Sequence, residues 1–331
     1  MIKPSILTFI TTYMCTSQCN DCCFDCSPKK QKKMTIEEIK INIQKSIESF
    51  PSITTVVFTG GECTLLGNDL FLAIKYCTEL GLTSRIVTNG HWAKSKSQIA
   101  HYVKSFEDAG LKEINFSTGT EHQKFVPVEN IINAVNLCSE IDSISSIVVN
   151  VESHKNLSFS INDFKSAIYS KGNDEILKNK LIVLSSPWMS FKERSELISS
   201  SNKKNTISTL SKGCKNIFNG IYINPNNQML SCCGLACEYI PFLKIGSINK
   251  HDIKYLYNKQ YNDFLKIWLF TEGPRKIIEH IDENFASDDN IHDCDYCLRL
   301  LTTRPYLEKL LQIDSNKIKQ TMVNYNIKIA F

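Results

Sequence analysis

At 331 residues with a net charge of +4, 42% apolar and 22% charged, the chain has the make-up of a globular protein with a sizeable core. So small a charge excludes the strong basic excess of a nucleic-acid or membrane-surface binder. No stretch approaches the roughly eighteen apolar residues of a membrane helix. The length suits one large domain plus a small one.

The N-terminal "MIKPSILTFITTYMC" is broken by Pro4 and lacks a cleavage site, so it reads as a first strand (Ser5–Tyr13) of a cytoplasmic protein. Thr35 and Glu38 form a capping box that opens a helix with the stripe Ile36, Ile39, Ile43, Ile47 and Phe50. "TTVVFTGG" is a buried β-branched strand, followed by a helix over Asp69–Leu80 with Gly81 as its stop. "SRIVTNG" is a third strand and Ser97–Ala109 a third helix, ended by Gly110. "KEINFSTG" comes next, then a helix from Pro127 carrying Ile131, Ala134, Val135 and Leu137. "SSIVVNVE" and "KLIVLSS" are the fifth and sixth strands, with a helix over Ile161–Ser170 between them.

Strand–helix alternation of this kind implies parallel βαβ units, too few for a closed eight-stranded barrel. The polar segment Ser200–Ser211 marks a boundary, giving domains 1–205 and 206–331. Beyond it "NGIYINPNNQMLSCC" reads as a hairpin turning at Asn224–Gln228. Helices are expected over Ile253–Phe270, Arg275–Glu283 and Pro305–Val323.

The 14 cysteines carry the chemistry. Cys77 and Cys138 fall at apolar positions of helices, as small buried hydrophobes do. The rest cluster. Cys15-Thr-Ser-Gln-Cys19-Asn-Asp-Cys22 follows the first strand directly. Three thiolates on a short loop suit a cubane iron–sulfur cluster and leave one iron without a protein ligand. Zinc is the alternative, although the run lacks paired C-x2-C knuckles. Cys23 and Cys26 extend the run as "CCFDCSP" and keep the choice of third ligand open.

The loop resembles the signature of the radical S-adenosylmethionine (SAM) superfamily, which implies a partial (β/α)6 TIM-like barrel. The resemblance further implies a [4Fe–4S] cluster on Cys15, Cys19 and Cys22 whose open iron binds SAM, and cleavage of SAM to a 5′-deoxyadenosyl radical. Gly60-Gly61-Glu62 at the second strand end is similar to the family's motif for the SAM amino group. Thr88-Asn89-Gly90 after the third strand, Ser117 on the fourth and Asn150 on the fifth stand where the family contacts SAM. Asp21 departs from the aromatic residue usual before the third cysteine. His122, in "STGTEHQKFVP", is a candidate for the substrate side.

Cys214, Cys232, Cys294 and Cys297 resemble the ligand set of the twitch domain, a shortened SPASM domain, which implies a small α+β domain holding a second, auxiliary [4Fe–4S] cluster. Four cysteines also suit structural zinc. Cys237 could replace a neighbouring ligand.

Cys233 stands next to Cys232 and cannot easily share its task. The order of the "CCFDCSP" loop, the Gly-Gly-Glu end, "TNGHW", the "CC" pair and the late C-x2-C is similar to that of the epipeptide-type radical SAM peptide epimerases. That resemblance implies Cys233 as hydrogen-atom donor in L-to-D inversion, a ribosomally made precursor peptide as substrate and a flavodoxin or ferredoxin as electron donor. Neither nucleic acid nor membrane is expected as a partner. An oxidative maturase using the auxiliary cluster as electron acceptor is the rival reading, and a non-catalytic metal-cluster module is another.

Overall fold

The computed structural model describes residues 1–153, 158–170, 174–187, 213–288 and 291–330. The chain divides into two compact units, residues 6–188 with 224–226, and residues 1–5, 189–223 and 227–331. The boundary expected near residue 205, with the polar segment around it, lies outside the described residues.

The first unit is a run of alternating elements: β1 (Ile6–Ile10), α1 (Ile36–Ser49), β2 (Thr55–Thr59), α2 (Asn68–Glu79), β3 (Thr83–Thr88), α3 (Lys96–Ala109), β4 (Glu113–Thr118), α4 (Val128–Ser139), β5 (Ser146–Ser153), α5 (Ile161–Tyr169), α6 (Asp174–Lys180) and β6 (Leu181–Pro187). Each strand pairs in parallel with the next, from β1 through β6. This is the α/β arrangement of a partial (β/α)6 barrel, in which all strands end on the same side.

The helices form where the sequence stripes them. Thr35 and Glu38 make the capping box, and Ile36, Ile39 and Ile43 of α1 are buried. Phe9 and Phe58 stack at 6.0 Å between ring centroids, both fully buried. Cys77 and Cys138 are fully buried in α2 and α4. Arg85 and Glu113, in register on β3 and β4, form a two-pronged ion pair at 2.8 Å. The basic run Lys29–Lys33 is exposed.

The second unit is α+β: three short antiparallel strands and a set of helices. The strands are β7 (Gly220–Ile223), β8 (Gln228–Leu230) and β9 (Lys244–Ser247), with Tyr222 opposite Leu230 and Gln228 opposite Ser247. The helices are α7 (Ile253–Lys259), α8 (Phe264–Thr271), α9 (Pro274–Ile281), α10 (Asp293–Thr302), α11 (Arg304–Leu310) and α12 (Ser315–Ala330).

Two expected helices are divided. Residues 253–270 break at Asp263, whose carboxylate accepts the Leu265 N–H and so starts α8 afresh. Residues 305–323 break at Asp314, which accepts the N–H groups of Asn316 and Lys317 at 2.8 and 3.0 Å. In each case an aspartate competes with helix continuation by capping.

Phe58→Ala should cost about 3–5 kcal/mol, read as a lower urea midpoint for loss of the parallel sheet.

Candidate active site and metal centres

The loop from β1 to α1 carries Cys15, Cys19 and Cys22, and short contacts tie it to the ends of β2 and β3. Gly61 N–H donates to Thr12 O at 2.7 Å and Glu62 N–H to Met14 O at 2.9 Å. A Cβ on Gly61 would stand 2.1 Å from Met14 O, and one on Gly60 2.6 Å from Thr12 O. The two glycines therefore let the cysteine loop itself approach the strand end, a role beyond the ligand approach expected of them.

Glu62 is fully buried, and its carboxylate is held by four donors. Oε1 accepts Thr64 Oγ1 at 2.6 Å, Thr88 Oγ1 at 2.8 Å and Thr64 N at 3.2 Å; Oε2 accepts Asn89 N at 2.7 Å. A buried carboxylate so bonded is held rigid. Thr88 is equally committed, since its hydroxyl also accepts Gly90 N at 3.0 Å and Trp92 Nε1 at 3.2 Å. Asn89 carries the link onward: its Nδ2 donates to Thr16 Oγ1 and Ser17 Oγ, both at 3.1 Å, and approaches Cys15 Sγ at 3.6 Å. Trp92, against Tyr102 and Phe106, is a buried structural anchor for this turn.

Around Cys22 the chain folds back on itself. Asp25 N–H donates to Cys22 O at 3.2 Å, with Asp25 in the left-handed region, and Cys26 N–H then reaches Cys22 Sγ at 3.3 Å. Hydrogen bonds from the Cys26 side chain and from the Cys26 and Phe24 backbones pull the Cys22 thiol down to about 6. Cys22 thus sits in an N–H cradle that lowers it, while burial pushes Cys15 up to about 12 and raises Cys19. Cys26, itself buried, serves Cys22 as a donor.

The strand ends of β4 and β5 bring Ser117 and Asn150 opposite one another in register. Asn150 Oδ1 and Asn115 Oδ1 are buried acceptors without a hydrogen-bond partner among the described residues. Such atoms ask for a ligand or water, and SAM offers hydroxyl and amino donors to fill them. Asn115 shares the strand face of Ser117 two positions earlier, where a polar residue between Ile114 and Phe116 was the available signal.

His122 is held by a residue that sequence reasoning missed. Its Nδ1 lies 2.7 Å from Glu152 Oε2, and Glu121 N–H donates to Glu152 Oε1. Glu152 is nearly fully buried at the end of β5. The pair stands within electrostatic reach of the cysteine loop, for Glu152 raises Cys19 and His122 lowers Cys22, each after larger causes. A buried acid closing an apolar strand was the clue in "SSIVVNVE".

In the second unit, Cys232 and Cys294 border Gly234: a Cβ there would lie 3.0 Å from Cys294 Sγ and 3.7 Å from Cys232 Sγ. Cys294 and Cys297 sit in α10, whose start His292 caps by accepting the Cys294 N–H at 3.0 Å. That helix was not expected from the sequence. Burial raises Cys214, Cys232 and Cys297 and pushes Cys294 up to about 11. Among the described residues no three His, Cys, Asp or Glu side chains converge tightly enough to hold a single ion; a cubane asks for a wider spread, one thiolate per iron.

Residues 9–150 match the model of the Radical SAM superfamily. This stretch is similar to a radical SAM domain, a family that uses SAM and a [4Fe–4S] cluster. No curated protein sequence matches significantly. Among solved structures, native anSMEcpe with bound AdoMet and Cp18Cys peptide aligns at a TM-score of 0.50 and 13% identity, over 98% of this chain and 99% of that one. Native anSMEcpe with bound AdoMet gives 0.50 and 12%, over 97% and 99%. SuiB from Streptococcus suis gives 0.49 and 18%, over 88% and 77%. At these identities the likeness concerns the fold. No helix among the described residues is long and apolar enough to cross a membrane.

Were Cys15 and Cys19 to ligate a cluster, ligation would displace their protons, so cluster loading of the anaerobic apoprotein should rise with pH, measured as iron and sulfide per chain. At fixed pH, Cys22→Ala should lose the SAM-binding cluster and Cys23→Ala keep it. Cys26→Ala should load incompletely. Full loading of Cys22→Ala would move the third ligand to a neighbour.

Proposed function

We propose that the protein is a peptide-modifying radical SAM enzyme that inverts an L-residue to its D form. Cys15, Cys19 and Cys22 would hold the SAM-binding cluster. Gly60, Gly61, Glu62, Thr88, Asn89, Ser117 and Asn150 would form the SAM site, and Cys214, Cys232, Cys294 and Cys297 would hold a second [4Fe–4S] cluster. Bound there, the first cluster and SAM supply a 5′-deoxyadenosyl radical able to take a hydrogen atom from a carbon centre.

The observation that carries the reading is the division of labour within Cys232-Cys233. After burial, the charges that act on Cys232 are Cys214, Cys297 and Cys294, the other three members of the quartet. Those acting on Cys233 are Glu238 and Cys294. Adjacent in sequence, the two thiols share Cys294 as a neighbour, but Cys232 also feels Cys214 and Cys297 whereas Cys233 feels Glu238, which suits a cluster ligand beside a separate S–H group. Loss of the α-hydrogen leaves a planar substrate radical. Cys233 Sγ–H then breaks, a new Cα–H bond forms on the opposite face, and Cys233 is left as a thiyl. One electron, from a flavodoxin- or ferredoxin-class donor, and one proton restore the thiol. A peptide substrate accords with the peptide bound to anSMEcpe, which shares the fold.

The rival, an oxidative maturase, would lose two hydrogens from its product and pass an electron to the second cluster. Incubation of candidate precursor peptides with the reconstituted enzyme, SAM and reductant in deuterated water separates the two. Inversion predicts one solvent deuteron per modified residue, whereas a product two hydrogens lighter would establish oxidation. Cys233→Ala should still cleave SAM but yield no inverted residue; wild-type inversion by that variant would remove Cys233 from the role.

A further inference from the structure

The end of α8 is where two distant parts of the second unit meet. Leu269 O accepts the backbone N–H of Cys214 at 2.9 Å. The next two carbonyls, Phe270 O and Thr271 O, accept Lys328 Nζ of α12 at 2.6 and 3.3 Å. These last carbonyls form the negative end of the helix and favour a cation. The chain at Gly213 runs so close that a Cβ there would be 1.9 Å from Phe270 O and 2.6 Å from Lys328 Nζ. Lys328 also lies over the Phe270 ring, 4.5 Å from its centroid. One turn therefore seats both the loop of Cys214 and the ammonium of Lys328.

Elsewhere α12 is fastened to the same helix independently. Lys317 Nζ lies 2.9 and 3.1 Å from the Glu272 carboxylate, and Tyr325 packs edge-on against Phe270 at 6.0 Å. Fastening the helix thus does not depend on Lys328. The ammonium is half-buried and spent on carbonyls next to a cysteine, an arrangement that structural anchoring alone does not call for.

We propose that Lys328 is a positioning residue for the second iron–sulfur site, fixing the loop that presents Cys214 and placing a positive charge beside that ligand. The proposal rests on the reading that Cys214 is a cluster ligand. Groups outside the ligand shell set ligand orientation and reduction potential, and a nearby cation stabilises the more negative, reduced state of a cluster.

The test uses the full chain in a Cys15→Ala, Cys19→Ala, Cys22→Ala background, so that only the second cluster loads. Iron and sulfide content at limiting iron, and the midpoint potential from an EPR-monitored redox titration, are read for the parent, Lys328→Met, Lys328→Arg and Lys317→Met. Lys328→Met should weaken cluster binding roughly tenfold and shift the potential negative. Lys328→Arg should restore both, and Lys317→Met, which loosens α12 away from Cys214, should match the parent. Should Lys328→Met not fold, Lys328→Gln keeps a donor to Phe270 O without the charge and should load a cluster of lower potential. Parent-like binding and potential in the uncharged variants would overturn the proposal, as would an equal loss in Lys317→Met. A parent that binds no iron in this background would instead overturn the reading of the second cluster itself.

Discussion

A buried carboxylate must be fully hydrogen-bonded or it destabilises the fold by several kcal/mol, and in this protein Glu62 turns that requirement into architecture. Its four donors come from the turn after β2 and from the end of β3. Satisfying the one charge fixes both segments against each other, and Asn89 extends the same network to Thr16, Ser17 and Cys15. The cysteine loop is thus held by three anchors: the glycine pair, the carboxylate and the asparagine. A flexible loop could not keep three thiolates at the spacing a cluster needs. The glutamate motif therefore organises the cysteine loop.

The parallel half of the fold was legible because its signals are local and repeated. Each βα unit has its own β-branched strand, its own amphipathic stripe and a cap or glycine stop, as with Thr35 at α1 and Gly110 after α3. The second unit offers no such redundancy. The break at Asp263 depends on one aspartate choosing to cap rather than continue an apolar stretch. Helix α10 was missed because "HDCDYCLRLLT" was read for its cysteines, although its N-terminal His292 and Asp293 fit a capped start.

The site divides in the same way. Cys15, Cys19 and Cys22, Gly60-Gly61-Glu62 and Thr88-Asn89 each form a short run in sequence, so that spacing reports them. Glu152 does not: it meets His122 only because β4 and β5 are parallel neighbours whose ends coincide. Thirty residues of chain separate the pair, and no periodicity spans that gap. Asn115 was hidden for a different reason. A polar residue inside a strand is usually satisfied, and only the structure leaves its oxygen without a partner among the described residues.

The two thiol sites also differ in how the protein treats the charge. Cys22 receives its stabilisation from the chain immediately after it, through the turn that aims Cys26 N–H back at its sulfur. The quartet of the second unit has no comparable local frame: Cys214, Cys232 and the pair on α10 come from segments far apart in sequence. Its geometry must be supplied by tertiary packing, and burial raises all four thiols. Burial raises Cys233 as it raises Cys232, so what sets the two adjacent thiols apart is the groups each one faces, Cys214 and Cys297 for Cys232 and Glu238 for Cys233.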